Sequence, residues 1–310
     1  MKRSLIRQGN NSYTLTVPID WVRNNDIKEG QDLNIDEEDS KLIISIPSDI
    51  KKQEQIASYD LLNYNERTIR NILNQAYRKG FDKIKLKYSN KTQLEDIKSI
   101  VKNTLLGFEV SDESDNICSI INIAEPSFEK FDVIFKKIYY LIKITGEEIL
   151  SDFKSNKFQN LNKINEYKDQ VDNYTNFARR VIIKYKVGGN KESYSYFYTA
   201  SHLSLIYHAY YYMYKYAKEH NLKPSKEIIN TLDRINKNFD IYFDAFFKKD
   251  LELAHKIGVE KDDILKNSIY KNLVIVKGHD NALLYHLGEI IRLIHLNSTV
   301  IFGFIEEKKY

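Results

Sequence analysis

The chain has 310 residues, 42% hydrophobic and 29% charged, a length that suggests two or three domains and a composition that can fill a sizeable core. No run of about 18 uncharged apolar residues argues for a membrane span, and the start "MKRSLIRQGNN" lacks the apolar block of a signal peptide. One cysteine, Cys118, excludes an internal disulfide and fits a reducing, cytoplasmic setting, and the net charge of +4 says little about partners until its distribution is read.

That distribution is uneven. Residues 1–50 hold six bases (Lys2, Arg3, Arg7, Arg23, Lys28 and Lys41) against nine acids, and the two signs are segregated. Most bases precede Ile27, whereas acids crowd Asp36 to Asp39, so a module of negative sum can still present one basic surface.

Residues 1–48 read as small β elements around one short helix. Tyr13, Leu15 and Val17 alternate with threonines, as in a half-buried strand. Pro18, with its fixed φ and missing N–H, suits the first position of a helix carrying Trp21 and Val22. Gly30 supplies a turn, Leu33 and Ile35 alternate, "DEEDS" reverses the chain, and Leu42, Ile44 and Ile46 alternate before Pro47. About four short strands in under fifty residues cannot bury a core alone. Pairing two copies into one interleaved barrel would, which predicts an obligate dimer.

Residues 55–125 change style. "LLNYNERTIRNILNQAYRKG" is an amphipathic helix ending at Gly80, "DKIKLKYS" a strand, "TQLEDIKSIVKNTL" a second helix, and "FEVSDE" and "ICSIINIA" further strands. The prediction is a small α/β domain without a glycine-rich phosphate loop. Cys118, inside the last strand, reads as a small core residue.

From Pro126 onward helical periodicity dominates. Six helices fit, at about 127–154, 158–187, 195–220, 224–250, 251–276 and 279–306. Sliding the chain by 93 residues superposes Phe153 on Phe246, Lys163-Ile164 on Lys256-Ile257, Asp169 on Asp262, Val171 on Ile264 and "VIIK" on "VIVK". Residues 126–310 therefore read as two copies of a three-helix unit. The tyrosine-rich stretch from Tyr194 to Tyr216 places Leu203, Tyr207, Tyr210 and Tyr214 on one helical stripe, the pattern of a bundle core or an interface. His202, His208, His279, His286 and His295 form no HxxxH pair and read as structural. No nucleophile–base arrangement stands out, so an enzyme is not expected.

Gly9, Ser12, the alternation through Val17, Pro18, Trp21, Ile27, Gly30 and Leu33 resemble the AbrB/MazE/SpoVT swapped-hairpin family. The resemblance implies a dimeric swapped-hairpin β-barrel that grips DNA, with Lys2, Arg3, Arg7 and Arg23 as the DNA-binding candidates. The doubled three-helix unit, "DQVDNY" (Asp169 to Tyr174) and "HLGEIIRLI" (His286 to Ile294) look like the PhoU phosphate-uptake regulators. In this order, the parts resemble archaeal PhoU-related regulators with an AbrB-like head. That resemblance implies a mainly α, multidomain transcriptional regulator of phosphate homeostasis, its tail acting on a phosphate ABC transporter or signalling component.

PhoU relatives carry paired acids four apart on the third helix of each unit, forming a metal cluster. The corresponding positions here are Leu203, Tyr207, Tyr285 and Glu289, so one acid of four is kept. No cofactor is required by this pattern; Asp169, Asp172, Asp262 and Glu289 are the residues that would hold a divalent cation, iron or zinc. An alternative is a PhoU-like scaffold in which the head serves only as a dimer clamp and binds no DNA. An antitoxin is disfavoured, because antitoxin tails are usually short and this one is a folded bundle.

Overall fold

The computed structural model describes residues 2–9, 12–38, 40–46, 54–124 and 130–304, which form two compact units, Met1–Gln55 and Ile56–Tyr310. Pro47, Pro126 and Asp39, read above as boundary or turn residues, lie outside the described residues.

In the first unit, β1 (Ile6–Gln8) pairs antiparallel with β2 (Ser12–Thr14), and β3 (Asn34–Glu38) pairs antiparallel with β4 (Lys41–Ser45). Gly9 takes φ +73° between the first two strands, a left-handed conformation that favours glycine. Between the hairpins lies α1 (Ile19–Asn24), with Asp20 in its first turn and Arg23 in its last, each suited to the helix dipole. Pro18 is the residue before the helix and not its first member; its carbonyl still accepts the Val22 N–H at 3.1 Å. The strand expected through Val17 stops at Thr14, because residues 15–17 find no ladder partner within one chain. Within this one chain the two hairpins form separate two-stranded sheets, and the barrel expected of two intertwined copies is not shown.

Among its described residues this unit has no buried side chain. Leu5, Ile6, Tyr13, Ile19, Ile35 and Leu42 are each more than half exposed. A fold of this size cannot tolerate so much apolar surface in water without a partner for it.

The second unit begins with a four-stranded sheet ordered β5 (Ile56–Asp60), β6 (Lys83–Lys87), β8 (Ile117–Asn122), β7 (Phe108–Ser114). β5 and β6 are parallel and the other pairs antiparallel. The β5–β6 crossover is α2 (Glu66–Arg78), capped by Asn65, whose side chain accepts the Thr68 N–H at 2.9 Å. α3 (Lys91–Thr104) is capped likewise by Asn90. Ile84 and Leu86 alternate with exposed or half-exposed lysines and meet Leu73, Tyr77, Ile97, Cys118 and Ile120 in one core. Asp115 and Asn116, both at positive φ, make the tight β7–β8 turn. β5 escaped the sequence reading, which took its flanking leucines as the start of α2.

The remaining helices are α4 (Phe131–Ser155), α5 (Leu161–Tyr185), α6 (Gly189–Glu219), α7 (Lys226–Lys248), α8 (Leu251–Asp263), α9 (Lys271–Ile275) and α10 (His279–Ser298). A π-helical segment, Ile264–Tyr270, joins α8 to α9, and a 3-10 segment, Thr299–Phe304, extends α10. Each of the six expected helical spans is therefore present, the fifth being interrupted by the π segment. α4 packs on α5 and α6, α7 packs on α8 and α10, and the two sets meet through α4–α7 and α6–α10.

Leu203, Tyr207, Tyr210 and Tyr214 are all buried in this second core. Each tyrosine hydroxyl has an acceptor: the Ile164 carbonyl at 2.6 Å for Tyr207, Asn236 Oδ1 at 2.8 Å for Tyr210, and the Asp152 carboxylate for Tyr214. Burial raises all three phenols far above their usual range, so they stay protonated donors. At Gly146 the helices α4 and α7 approach so closely that a Cβ would lie 2.6 Å from Asn236 Oδ1. The stretch His279–Phe304 is long and apolar enough to cross a membrane by length and composition, but Leu283, Leu287, Ile290 and Ile294 are spent on the bundle core.

The sheet core and the helical core are separate apolar clusters, joined at a polar seam on α5. Arg180, 1% exposed, reaches from α5 into the α/β layer. Its guanidinium donates to the carbonyls of Tyr77 at 3.0 Å and Phe81 at 2.9 Å and pairs with Asp82 at 3.3 Å. It also sits 5.1 Å and 4.8 Å from the ring centroids of Tyr77 and Phe108. Lys184 completes the pairing with Asp82 at 2.7 Å, lying against Gly80, whose φ of +93° ends α2 as expected. Replacing Arg180 with alanine removes a buried, hydrogen-bonded cation and is expected to cost about 3–5 kcal/mol, read as a lowered urea midpoint. Burial pushes the Cys118 thiol up to about 11, so the native protein should leave it unlabelled by a thiol reagent at pH 8 and expose it on unfolding.

Candidate functional site

Two of the first unit's four candidate cations lie on regular elements and two lie ahead of them. Lys2 and Arg3 precede β1, Arg7 lies within β1, and Arg23 lies in the last turn of α1; all four are exposed. Arg7 stands opposite Tyr13 in the β1–β2 register, so both project from one face of that hairpin. Within the hairpin, Thr14 donates to the Gln8 side chain at 2.8 Å and Ser12 donates to the Gln8 carbonyl, tying the short turn together. Exposed cations suit phosphate contacts, which need charge and reach more than burial.

In the helical part, the four metal candidates lie on three helices and each has its own local partner. Asp169 is mostly exposed, 3.8 Å from Lys168. Asp172 is enclosed: Lys168 donates to Oδ2 at 3.1 Å, Ser204 donates to Oδ1 at 3.2 Å, and His208 Nε2 lies 2.9 Å from Oδ1. Asp262 is exposed and pairs with Lys261, while Glu289 stands 3.6 Å from His286 Nδ1. Among the described residues, no three His, Cys, Asp or Glu side chains converge as a metal would need. Of the other expected ligand positions, Leu203 and Tyr207 are core residues and Tyr285 is 66% exposed.

The histidines have ordinary surroundings. His202 stacks on Tyr198 at 3.9 Å between centroids, and the Tyr216 hydroxyl lies 2.7 Å from His279 Nδ1. Burial lowers His286 despite the opposing pull of Glu289, and burial with Lys261 nearby lowers His295, so both favour the neutral imidazole.

The described residues of the second unit line grooves open to solvent. One, of about 480 Å³ between α4 and α7, has Tyr139, Phe239 and Phe243 as its floor and Lys136, Asp240 and Asp244 at its rim. Another, of about 470 Å³, runs along α3 and β7 beside Lys98, Lys102 and Glu109.

Sequence reasoning missed the arginines of the seam. Arg179 and Arg180 sit inside the apolar stretch Phe177-Ala178 and Val181-Ile182, and both are buried. Two adjacent cations interrupting a core-facing run were the available signal.

Residues 6–55 match the family described as antidote-toxin recognition MazE, bacterial antitoxin. No curated protein and no solved structure matches the chain. The match supports an AbrB/MazE-like module in the first unit, a module of a kind that commonly dimerises and binds DNA.

Burial alone would raise the Asp172 carboxyl, but His208 and Lys168 outweigh it and hold the group below the ordinary carboxylate range. A depressed carboxylate stabilises the fold above its unfolded pKa and loses that contribution as pH falls through the folded value. Asp172→Asn is therefore expected to destabilise by about 1–3 kcal/mol at pH 7. In a pH series of thermal melts, the gap to wild type should close below the ordinary carboxylate range.

Proposed function

We propose that the protein is a cytoplasmic, homodimeric, DNA-binding transcriptional regulator of phosphate uptake, without enzymatic activity of its own. Two first units intertwine into one barrel, and Lys2, Arg3, Arg7 and Arg23 from both copies contact DNA. The helical unit is then the sensing or docking part, acting on a phosphate transporter or signalling component.

One observation carries the DNA-binding half of this reading. The first unit, whose residues 6–55 match the MazE family, has no buried side chain among its described residues, yet leaves six large apolar side chains more than half exposed and all four candidate cations exposed. Association with a second copy covers the apolar faces at roughly 25 cal/mol per Å² and brings the cations together. The phosphate half draws on the likeness of the paired three-helix sets to PhoU regulators. The antitoxin role in the matched family's description is not adopted, because here a large folded helical unit follows the module.

A second reading, a scaffold with the head as dimer clamp only, is favoured by the acid excess in residues 1–50. Replacing Arg3, Arg7 and Arg23 with alanine in the full chain separates the two. For a DNA-binding dimer, mobility-shift titrations should lose at least tenfold in affinity, and the log affinity against log salt slope should fall by up to about 5, near 0.9 for each lost phosphate contact. Unchanged retardation and slope would leave the clamp reading. Sedimentation of both proteins at the same concentrations checks that the dimer itself persists.

A further inference from the structure

Two arginines of the second unit, Arg179 buried and Arg78 part-buried, have no carboxylate of their own among the described residues. Arg179 on α5 is 7% exposed, and its Nε has no hydrogen-bond partner among the described residues. Its Nη2 makes one long bond, 3.4 Å, to the Ala200 carbonyl of α6. Arg78, the last residue of α2, donates from Nε and Nη2 to the same neutral acceptor, Asn176 Oδ1, at 2.8 Å and 2.6 Å. Asn176 is held in place by its own donations to Asn74 and the Thr104 carbonyl, both at 3.2 Å.

The two guanidiniums feel one another. Burial first, and then repulsion from Arg78, lowers Arg179 to about 10; burial also lowers Arg78, with Asp172 acting the other way on both. Asp172 is the acid that acts on both guanidiniums, and its oxygens already serve Lys168, Ser204 and His208. Three cations thus share one carboxylate in a part-buried setting. Arginine is rarely enclosed without a counter-charge, since an unpaired buried cation costs several kcal/mol.

The helical fold does not demand this charge. Ninety-three residues later, where the sequence repeats, Asp172 and Arg179 correspond to Leu265 and Asn272. Leu265 is a core residue of the second set of helices. The first set therefore carries a costly cluster that its counterpart manages without. The cluster also has an open side, because Arg78, Lys168, Asp172 and His208 are all part-exposed.

We propose that the junction of α2, α5 and α6 binds a small oxyanion, a phosphate, sulfate or carboxylate, through the guanidiniums of Arg78 and Arg179. Charge-assisted bonds from two guanidiniums are the geometry by which proteins hold such groups. Lys168 stands at the rim as an additional positive charge, and the Nε of Arg179 gains the acceptor it lacks. The site is independent of any role of the first unit.

The experiment is thermal unfolding of the full chain at fixed ionic strength, comparing inorganic phosphate, sulfate and acetate with chloride. At least one oxyanion should raise the midpoint by about 2 °C or more over chloride and saturate in the millimolar range. Saturation separates binding from the general stabilisation by excluded salts, which grows steadily with concentration. Arg179→Met, and separately Arg78→Met, should fold and lose that saturable rise. The proposal is overturned if no oxyanion gives a saturating rise, or if the rise survives in every variant that folds.

Discussion

The guanidinium of Arg180 ties the two apolar cores of the second unit together across a polar seam. A long aliphatic stem leaves the helical core, and its charged end bonds inside the α/β layer to two carbonyls and a carboxylate, flanked by two aromatic rings. Desolvating such a cation costs several kcal/mol. Charge-assisted hydrogen bonds and cation–π contacts of about 2 kcal/mol or more when desolvated offset that cost only in this one arrangement. The seam is therefore specific where an apolar interface would tolerate sliding. It fixes α5 against α2, and the neighbouring Arg179 and Asn176 inherit their positions from that constraint.

The first unit obeys the opposite rule. Its hairpins and six-residue helix are locally well specified, with a glycine at positive φ, a proline before the helix and acids and bases matched to the helix dipole. Among its described residues it has no buried side chain. Stability for such a module must come from association, and association is also what would gather cations scattered along β1 and α1 into one surface. On the proposed function, folding and DNA binding share a dependence on a second copy. The helical unit, with its own core, carries no such dependence.

Within the helices, the two sets use related sequences to different ends. The first set receives the α/β layer on α5 and keeps charged residues there. The second set inserts a π-helical segment at the corresponding stage and ties α7 to α8 through Arg234, which pairs with Glu260 at 2.7 Å and Asp263 at 2.6 Å. π segments absorb an extra residue and re-aim the turns that follow. Val274 is accordingly 87% exposed, whereas its sequence counterpart Val181 is buried. Similar helices thus support one covered face and one uncovered face.

Periodicity was enough to locate the six helical spans, the strands around Ile84 and Ile120, and the tyrosine stripe, because each reports a local face turned toward apolar neighbours. It also showed that the head is too small to enclose itself. β5 was illegible, since Ile56 to Asp60 alternates weakly and its value lies in pairing with a strand 27 residues away. The spacing of Asp169 and Asp172 put two carboxylates on one helix but could not say that Lys168, Ser204 and His208 would take up the second. Arg180 and Asp82 are 98 residues apart, and nothing local to either announces the other. Amphipathic pattern determines which side of an element turns inward, because burial acts on each residue separately; which charged groups meet there was decided only by the tertiary structure, because Coulomb and hydrogen-bond partners are chosen by distance in space.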